Sequence, residues 1–488
     1  MMTKHLILTL ATLAAPILYS QAQVDKSAPL FLELKKQDSL FFERGFNQCD
    51  LTYLENTIAS DLRFYHDKSG FQDRNAFFDN TRKYICSDSG KKPIRKPETG
   101  SLSLFPLYEN GNLYGAIQSG IHHFFIRETG KEDVWTGTAK FTNVWTLDDN
   151  VWKLSEVLSY DHREPQSGNL KLSSLDQLLK ENKVPAMGLG IIENGRLTNI
   201  EVYGSLDTQN KAPYNSIFKV ASLTKPVFAL TILKLIDLGL LDLDEPLYKY
   251  WVDPDLKEDM RYKKLTPRLI LSHQTGFPNW RYLDKANRLT FEFEPGTRYQ
   301  YSGEGFEYLR KAIEQKLGNT LEDLANEHLF TPAGMKDTRF WWDASMDEDR
   351  YARNFDVNGE EIETFKYYEA NSAANLLTTV EDYGLFLEYV VNGAGISEKL
   401  FSEMQKYQVK LKENDYFGLG WEILTGFQNG EHALIHTGKD PGVSTLAVIF
   451  PKSRNGYLIF MNGDSAGNVY EELLTKRLYL GGELWNRR

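Results

Sequence analysis

Cysteine is almost absent from this chain: Cys49 and Cys86 are the only two in 488 residues. Two thiols fall short of a tetrahedral zinc site, and no His-rich ligand spacing makes up the difference. No zinc site is therefore expected, and nothing else in the sequence implies a metal or a cofactor. The pair leaves two readings open, a disulfide within the first part of the chain or two buried free thiols. Long apolar runs are also scarce. Beyond the first residues, no segment reaches about eighteen unbroken apolar residues, so no stable membrane span is expected in the mature protein. Concentrated positive charge is missing too. The net charge is −11 with a pI near 5.5, and no basic cluster stands out. That argues against a nucleic-acid partner.

What is present begins with residues 1–22. Lys4 precedes an apolar run and then Ser20-Gln21-Ala22. This is the pattern of a signal peptide with cleavage after Ala22. No cysteine sits beside that position, so no lipid anchor is expected. The predicted location is periplasmic or secreted.

The length exceeds one ordinary domain. Residues 28–162 start with amphipathic helix, LFLELKKQDSLFFERGFNQCDLTYLENTI, and continue with helix around 75–85. After Gly100 the pattern turns to strands, SLSLFPLY, LYGAIQSGIHHFFIRE, VWTGTAKFTNVWTLD and VWKLSEVLSYDH, with turn residues between them. Helices followed by antiparallel strands make an α+β plan. The segment resembles the nuclear-transport-factor-like, SnoaL-like cone fold, through Cys49-Asp50-Leu51, Phe64-Tyr65-His66-Asp67 and Lys140-Phe141 to Trp145. That resemblance implies a pocket between helices and curved sheet. His122 and His123 are adjacent on a strand and face opposite ways, which leaves two readings: one of them enters such a pocket, or both are core or surface histidines with no ligand. Residues 163–170 are polar with Pro and Gly and read as a linker.

Residues 171–488 form the second part. A helix opens it, followed by a hairpin with Asn194-Gly195 at the turn. A long helical and loop region comes next, and strands return in HALIHTG, VSTLAVIFP and GYLIFMNGD. The expectation is an α/β domain whose antiparallel sheet is made from both ends of the segment, with a helical insertion between them.

Ser-x-x-Lys occurs at Ser89, Ser216 and Ser222, so the motif alone is cheap. Context separates Ser222. It opens the apolar helical run ASLTKPVFALTILKLIDLGLL. Residues three apart share a helix face, so Lys225 can reach the Ser222 oxygen. A serine hydroxyl needs a nearby base to become a nucleophile. A lysine serves only if its pKa falls, and the positive end of a helix pushes it down. A plain helix cap is the competing reading of Ser222. Ser89 lies in a polar loop, and Ser216 in strand or turn.

Five segments in order settle between them: SIFKVASLTK, LDLDEPLYKY, LTPRLILSHQTGFP, FEPGTRYQYSGEGFEYL and HTGKDPGV. They resemble the serine β-lactamase and penicillin-binding-protein-like superfamily. The likeness is strongest to class C β-lactamases, related serine esterases and D-alanyl-D-alanine carboxypeptidases. The resemblance implies that Ser222 is acylated and that Lys225 helps activate it. Tyr301 then serves as a base, its pKa lowered by the neighbouring ammonium. His436-Thr437-Gly438 matches the family's Lys-Thr-Gly strand. The backbone amides of Ser222 and Lys439 would form the oxyanion hole. His273 resembles a structural turn element. Two departures stand out: Gly303 replaces the family's asparagine, and His436 replaces its lysine. Both weaken the case for β-lactam hydrolysis, which needs an amide contact and a fixed cation.

The chain is thus expected to be an exported serine hydrolase. Its substrate would be a small molecule or a cell-wall-derived one: an ester, a D-amino-acid peptide or a β-lactam, with small esters favoured. The rival is a catalytically silent penicillin-binding-like protein whose cone domain binds a ligand. Oligomeric state is not legible.

Overall fold

The computed structural model describes residues 23–88, 90–98, 100–128, 133–163, 175–207, 210–283 and 285–487. The expected signal peptide 1–22, most of the expected linker 163–170, and Ser89 lie outside them.

The first helical stretch is not continuous. Helix α1 (Pro29–Leu40) runs into a wider turn over Phe41–Asn47, breaks at Cys49 with φ 62°, and resumes as α2 (Leu51–Thr57), which Asp50 caps. Strands then come earlier than the sequence predicts. β1 (Ile58–His66) and β2 (Gly70–Asp73) precede α3 (Arg74–Asn80), and β3 (Lys91–Pro97) precedes Gly100. Their sequences hide them: β3 reads KKPIRKP, charged and with two prolines. It lies at a sheet edge, where missing N–H donors are tolerated. The long strands β4 (Ser103–Glu109), β5 (Asn112–Glu128), β6 (Val134–Asp148) and β7 (Val151–Arg163) match the expectation. The sheet order is β2-β1-β7-β6-β5-β3, with β4 also paired to β5. Register shifts in β5, β6 and β7 mark bulges, which bend strands. Phe31, Leu34 and Phe41 from the helices pack with Phe141, Trp145 and Leu154 from the sheet. Within this interior, buried Arg95 forms a paired contact with buried Asp38 and donates to His122 Nδ1 at 3.2 Å. Of the two adjacent histidines, His122 is the one turned inward. Cys49 and Cys86 are disulfide-bonded, which decides between the two readings.

The second part opens with α4 (Leu175–Glu181) and the hairpin β8 (Ala186–Glu193) and β9 (Arg196–Gly204). Asn194 and Gly195 have φ of 51° and 78°, the pair of left-handed residues that a two-residue hairpin turn uses. A short ladder joins β10 (Phe218–Lys219) to β11 (Leu377–Thr378). The main sheet adds β12 (Val409–Lys412), β13 (Asp415–Phe417), β14 (Glu422–Leu424), β15 (Ala433–Asp440), β16 (Val443–Phe450) and β17 (Asn455–Met461). Its order is β12-β13-β14-β15-β16-β17-β8-β9, so the two ends of the segment meet where β17 pairs β8. Every pairing is antiparallel.

Two apolar clusters flank this sheet. One joins it to α4 and the C-terminal helices through Leu175, Leu179, Val469, Leu473 and Leu484. The other joins it to the insertion, including α5 (Thr224–Asp237). Residues 224–233 of α5 are all buried, which is why the helix reads apolar on every face. Helix α1 lies against β9, with Lys35 paired to Glu193. Arg44 stacks 4.4 Å from the ring centroid of Tyr214, and Gln48 accepts from the Tyr214 N–H at 2.8 Å. No helix among the described residues is long and apolar enough to cross a membrane.

Candidate active site

Ser222 is not a helix cap. It lies in a tight turn over Ala221–Leu223 just ahead of α5, and no side chain caps that helix. Ala221 holds φ 48°, a left-handed conformation that costs a non-glycine residue about 1–2 kcal/mol. Backbone strain of this kind persists where surrounding structure over-determines it. Here Thr445 Oγ1 donates to Val220 O at 2.9 Å, and Tyr383 Oη donates to Leu223 O at 2.9 Å.

One turn on, Lys225 is buried and points back at the serine. Its Nζ lies 3.2 Å from Ser222 Oγ and 2.9 Å from Ala373 O. Burial lowers its pKa to about 7, against an opposing pull from Glu307. The depression expected from a helix terminus thus comes from desolvation instead. Glu307 also fixes the loop that carries Ala373, accepting from Ser372 N and Ser372 Oγ at 2.7 Å each.

Tyr301 completes the group. Its hydroxyl is hydrogen-bonded to Ser222, and Lys225 Nζ lies 4.6 Å from its ring centroid. Burial raises the Tyr301 pKa, and the bond to Ser222 only partly offsets that. The phenol is therefore protonated at neutral pH, opposite to the phenolate expected from a neighbouring ammonium. That expectation weighed charge and could not weigh burial.

Sequence reasoning gave His273 only a turn role. Its φ of 55° does place it in the turn after helix α6 (Pro267–Leu271). Its ring also stacks on Tyr301 with centroids 4.3 Å apart. His273 Nδ1 accepts from Ser302 N at 3.0 Å, and burial holds its pKa well below the usual range. A neutral imidazole thus fixes the residue after Tyr301. Ser302 in turn caps helix α7 (Gly303–Leu317), accepting from Gly305 N at 3.0 Å.

The opposite wall is β15. It pairs β14 only through Ala433–Ile435, so from His436 to Asp440 that edge has no strand partner among the described residues. Gly438 makes the close approach possible: a β-carbon there would lie 2.3 Å from Val220 O and 3.2 Å from Ser222 N. Lys439 follows on the same edge, its side chain turned away to Asp464 at 2.6 Å. Thr437 is exposed. His436 is buried, and burial followed by the Lys225 charge lowers its pKa to about 3. It is neutral at physiological pH and supplies no cation for a carboxylate. Its Nδ1 lies 2.8 Å from Thr437 O.

The remaining Ser-x-x-Lys pair is not a site. Ser216 Oγ donates to Pro213 O at 2.5 Å, and Lys219 pairs with Asp440. Among the described residues, His66, Asp67 and His162 come together at ligand spacing. His66 Nδ1 accepts from Lys68 N at 3.1 Å and Ser69 N at 3.2 Å, and His162 Nδ1 is bonded to Asp67 at 2.5 Å.

Comparison with known proteins follows the same lines. A family model described as Beta-lactamase matches residues 173–479. Penicillin-binding protein 4* of Bacillus subtilis (strain 168) is 23% identical over 332 residues, 58% of this chain and 69% of its own length. Protein flp of Staphylococcus aureus (strain MW2) is 22% identical over 316 residues, 59% of this chain. The matched region spans only 61% of flp's own length. Among solved structures, the octameric penicillin-binding protein homologue from Pyrococcus abyssi aligns with TM-score 0.54 and 20% identity, covering 63% of this chain and 79% of its own. The D-amino acid amidase from Ochrobactrum anthropi SV3 aligns with TM-score 0.51 and 22% identity, covering 59% and 89%. At these identities the structural likeness speaks to fold alone.

Proposed function

The chain belongs to the Beta-lactamase family and is a serine hydrolase of that superfamily, and from this premise we propose how it works and on what. Ser222 is the nucleophile, Lys225 its proton acceptor and Tyr301 the proton relay to the leaving group. The observation that carries this is the 3.2 Å approach of buried Lys225 Nζ to Ser222 Oγ. With a pKa of about 7, a large share of the amine is neutral at physiological pH and free to take a proton.

In the first half-reaction Ser222 Oγ attacks the acyl carbon and its proton passes to Lys225. The oxyanion sits between the backbone amides of Ser222 and Lys439, beside the open edge of β15. When the intermediate collapses, the Tyr301 phenol protonates the leaving oxygen, and the lysine ammonium reprotonates Tyr301. Water then attacks the Ser222 ester by the reverse proton path, releasing the acid. His436 and Thr437 precede Gly438 on the same strand edge, and Gly438 keeps that strand close to the serine.

Tyr301→Phe removes one hydroxyl and leaves the stacked ring in place. Its kcat for a p-nitrophenyl ester is expected to fall about a hundred- to ten-thousandfold with folding intact. Unchanged steady-state rates would remove Tyr301 from the mechanism.

Small esters are the proposed substrates. A β-lactam needs an amide contact and a carboxylate partner; Gly303 has no side chain for the first, and neutral His436 offers no charge for the second. Short-chain p-nitrophenyl esters should be hydrolysed, with a chromogenic cephalosporin turned over weakly or not at all. Comparing kcat/KM for the two on the wild-type protein is the test, and a clearly higher value for the cephalosporin would overturn the preference.

Export through residues 1–22 and a SnoaL-like cone fold for 28–162 belong to the same proposal. The long bulged strands β5–β7 under α1–α3 support the cone reading.

A further inference from the structure

Gly303 lacks more than a side chain; it lacks room for one. A β-carbon built on it would lie 2.5 Å from Trp280 Cζ2, 2.6 Å from Cη2 and 2.9 Å from Cε2. The indole occupies the volume into which the family's asparagine would extend. Restoring that asparagine, a change the sequence invites, therefore meets a ring and not an empty subsite.

Both chain neighbours of Trp280 are tied to the start of α7. Asn279 accepts from Gly303 N through its backbone oxygen at 3.0 Å and through Oδ1 at 2.9 Å. Its backbone oxygen also accepts from Glu304 N at 3.0 Å. Arg281 is held to buried Glu304 and buried Asp253 at 2.8 Å each, and its own N–H donates to Glu304 Oε1 at 2.9 Å. Breaking a buried ion pair by removing one partner is costly, so this clamp is stiff. Trp280 itself is half-buried, packed on the core from below. Its outer neighbour is Tyr282, stacked with centroids 5.9 Å apart and planes 15° apart, and 65% exposed.

Burial first, and then the Asp440 charge and Tyr367, push the Tyr282 phenol up. Asp440 is neutralised by Lys219, whose Nζ also sits 5.6 Å from the Tyr367 ring centroid.

We propose that Trp280 is a specificity-determining residue. It fills the position-303 subsite and, with Tyr282, presents a flat apolar wall that selects acyl groups with an uncharged planar face, such as arylacetyl esters. This rests on Ser222 being the nucleophile, because Gly303 is placed by Tyr301, two residues earlier. Ring-on-ring contact of this kind is worth about a tenfold preference.

The test uses the full chain with p-nitrophenyl acetate and p-nitrophenyl phenylacetate. In wild type, kcat/KM should favour the phenylacetyl ester. Trp280→Ala should cut the phenylacetyl-to-acetyl ratio about tenfold, mainly through KM. Gly303→Ala, which pushes the indole from below, should lower the same ratio and guards against misfolding of the first variant. Gly303→Asn alone should lose ester hydrolysis, while Gly303→Asn with Trp280→Ala should regain it and raise the cephalosporin-to-ester ratio. A ratio unchanged within twofold in both single variants would overturn the inference, as would full activity of Gly303→Asn with Trp280 intact. Neither result touches the nucleophile, which Ser222→Ala tests separately.

Discussion

Ser222→Ala is expected to lower ester turnover by roughly a thousandfold or more, the scale seen when a catalytic serine is removed from a working group. The substitution deletes one half-buried hydroxyl at a turn and opens no core cavity, so the fold should persist. Ser216→Ala is the matched control. That serine carries the same Ser-x-x-Lys spacing, yet its hydroxyl is committed to Pro213 O. Its activity should stay close to wild type. A fluorophosphonate should label the wild-type chain at Ser222, read by peptide mass spectrometry, and should not label Ser222→Ala. Retained turnover in Ser222→Ala would remove this residue as nucleophile.

Lys225 should give the second large effect, with a pH signature. In the proposed mechanism the neutral amine is the active form, and burial lowers its pKa in the folded protein to about 7. kcat/KM for the ester should therefore rise with pH, bend near 7 and level off above it. His436 should add no step between pH 5 and 8, because it is already neutral there. Lys225→Met should lose about a hundred- to ten-thousandfold in kcat. Lys225→Arg, permanently charged, should not rescue it. Stability should follow pH in the same direction. Between about 7 and the ordinary lysine value of 10.5, the unfolded chain holds a proton that the folded chain has released, so this group's contribution to stability rises with pH across that window. Below it, the folded protein carries a buried ammonium at a cost. Lys225→Met should accordingly melt higher than wild type near pH 6. A flat pH profile, or a Met variant with wild-type rates, would exclude Lys225 as the base.

Much of the serine half was legible because its signals are local. The apolar run of α5, the Asn194-Gly195 turn and the closing strands are short-range patterns with direct physical causes. Ordered motifs carried the grouping of Ser222, Lys225 and Tyr301. The N-terminal half was read less well. β3 was hidden because charge and proline mark an edge strand and a loop alike. The pairing of Cys49 with Cys86 could not be chosen, since a sequence says nothing of whether two thiols meet.

The sequence by itself determined which groups are available: one serine–lysine pair at a helix start, a tyrosine, a glycine where an amide would stand, and a histidine where a lysine would stand. Only the tertiary structure decided what state those groups are in and what surrounds them. Desolvation depends on every neighbour at once, so burial, not the helix terminus, sets the Lys225 pKa, keeps Tyr301 protonated and leaves His436 neutral. The same holds for Trp280. It lies 23 residues before Gly303 in the chain, and no local pattern links the two. The Asn279 and Arg281 contacts to α7 bring the indole into the space that glycine leaves.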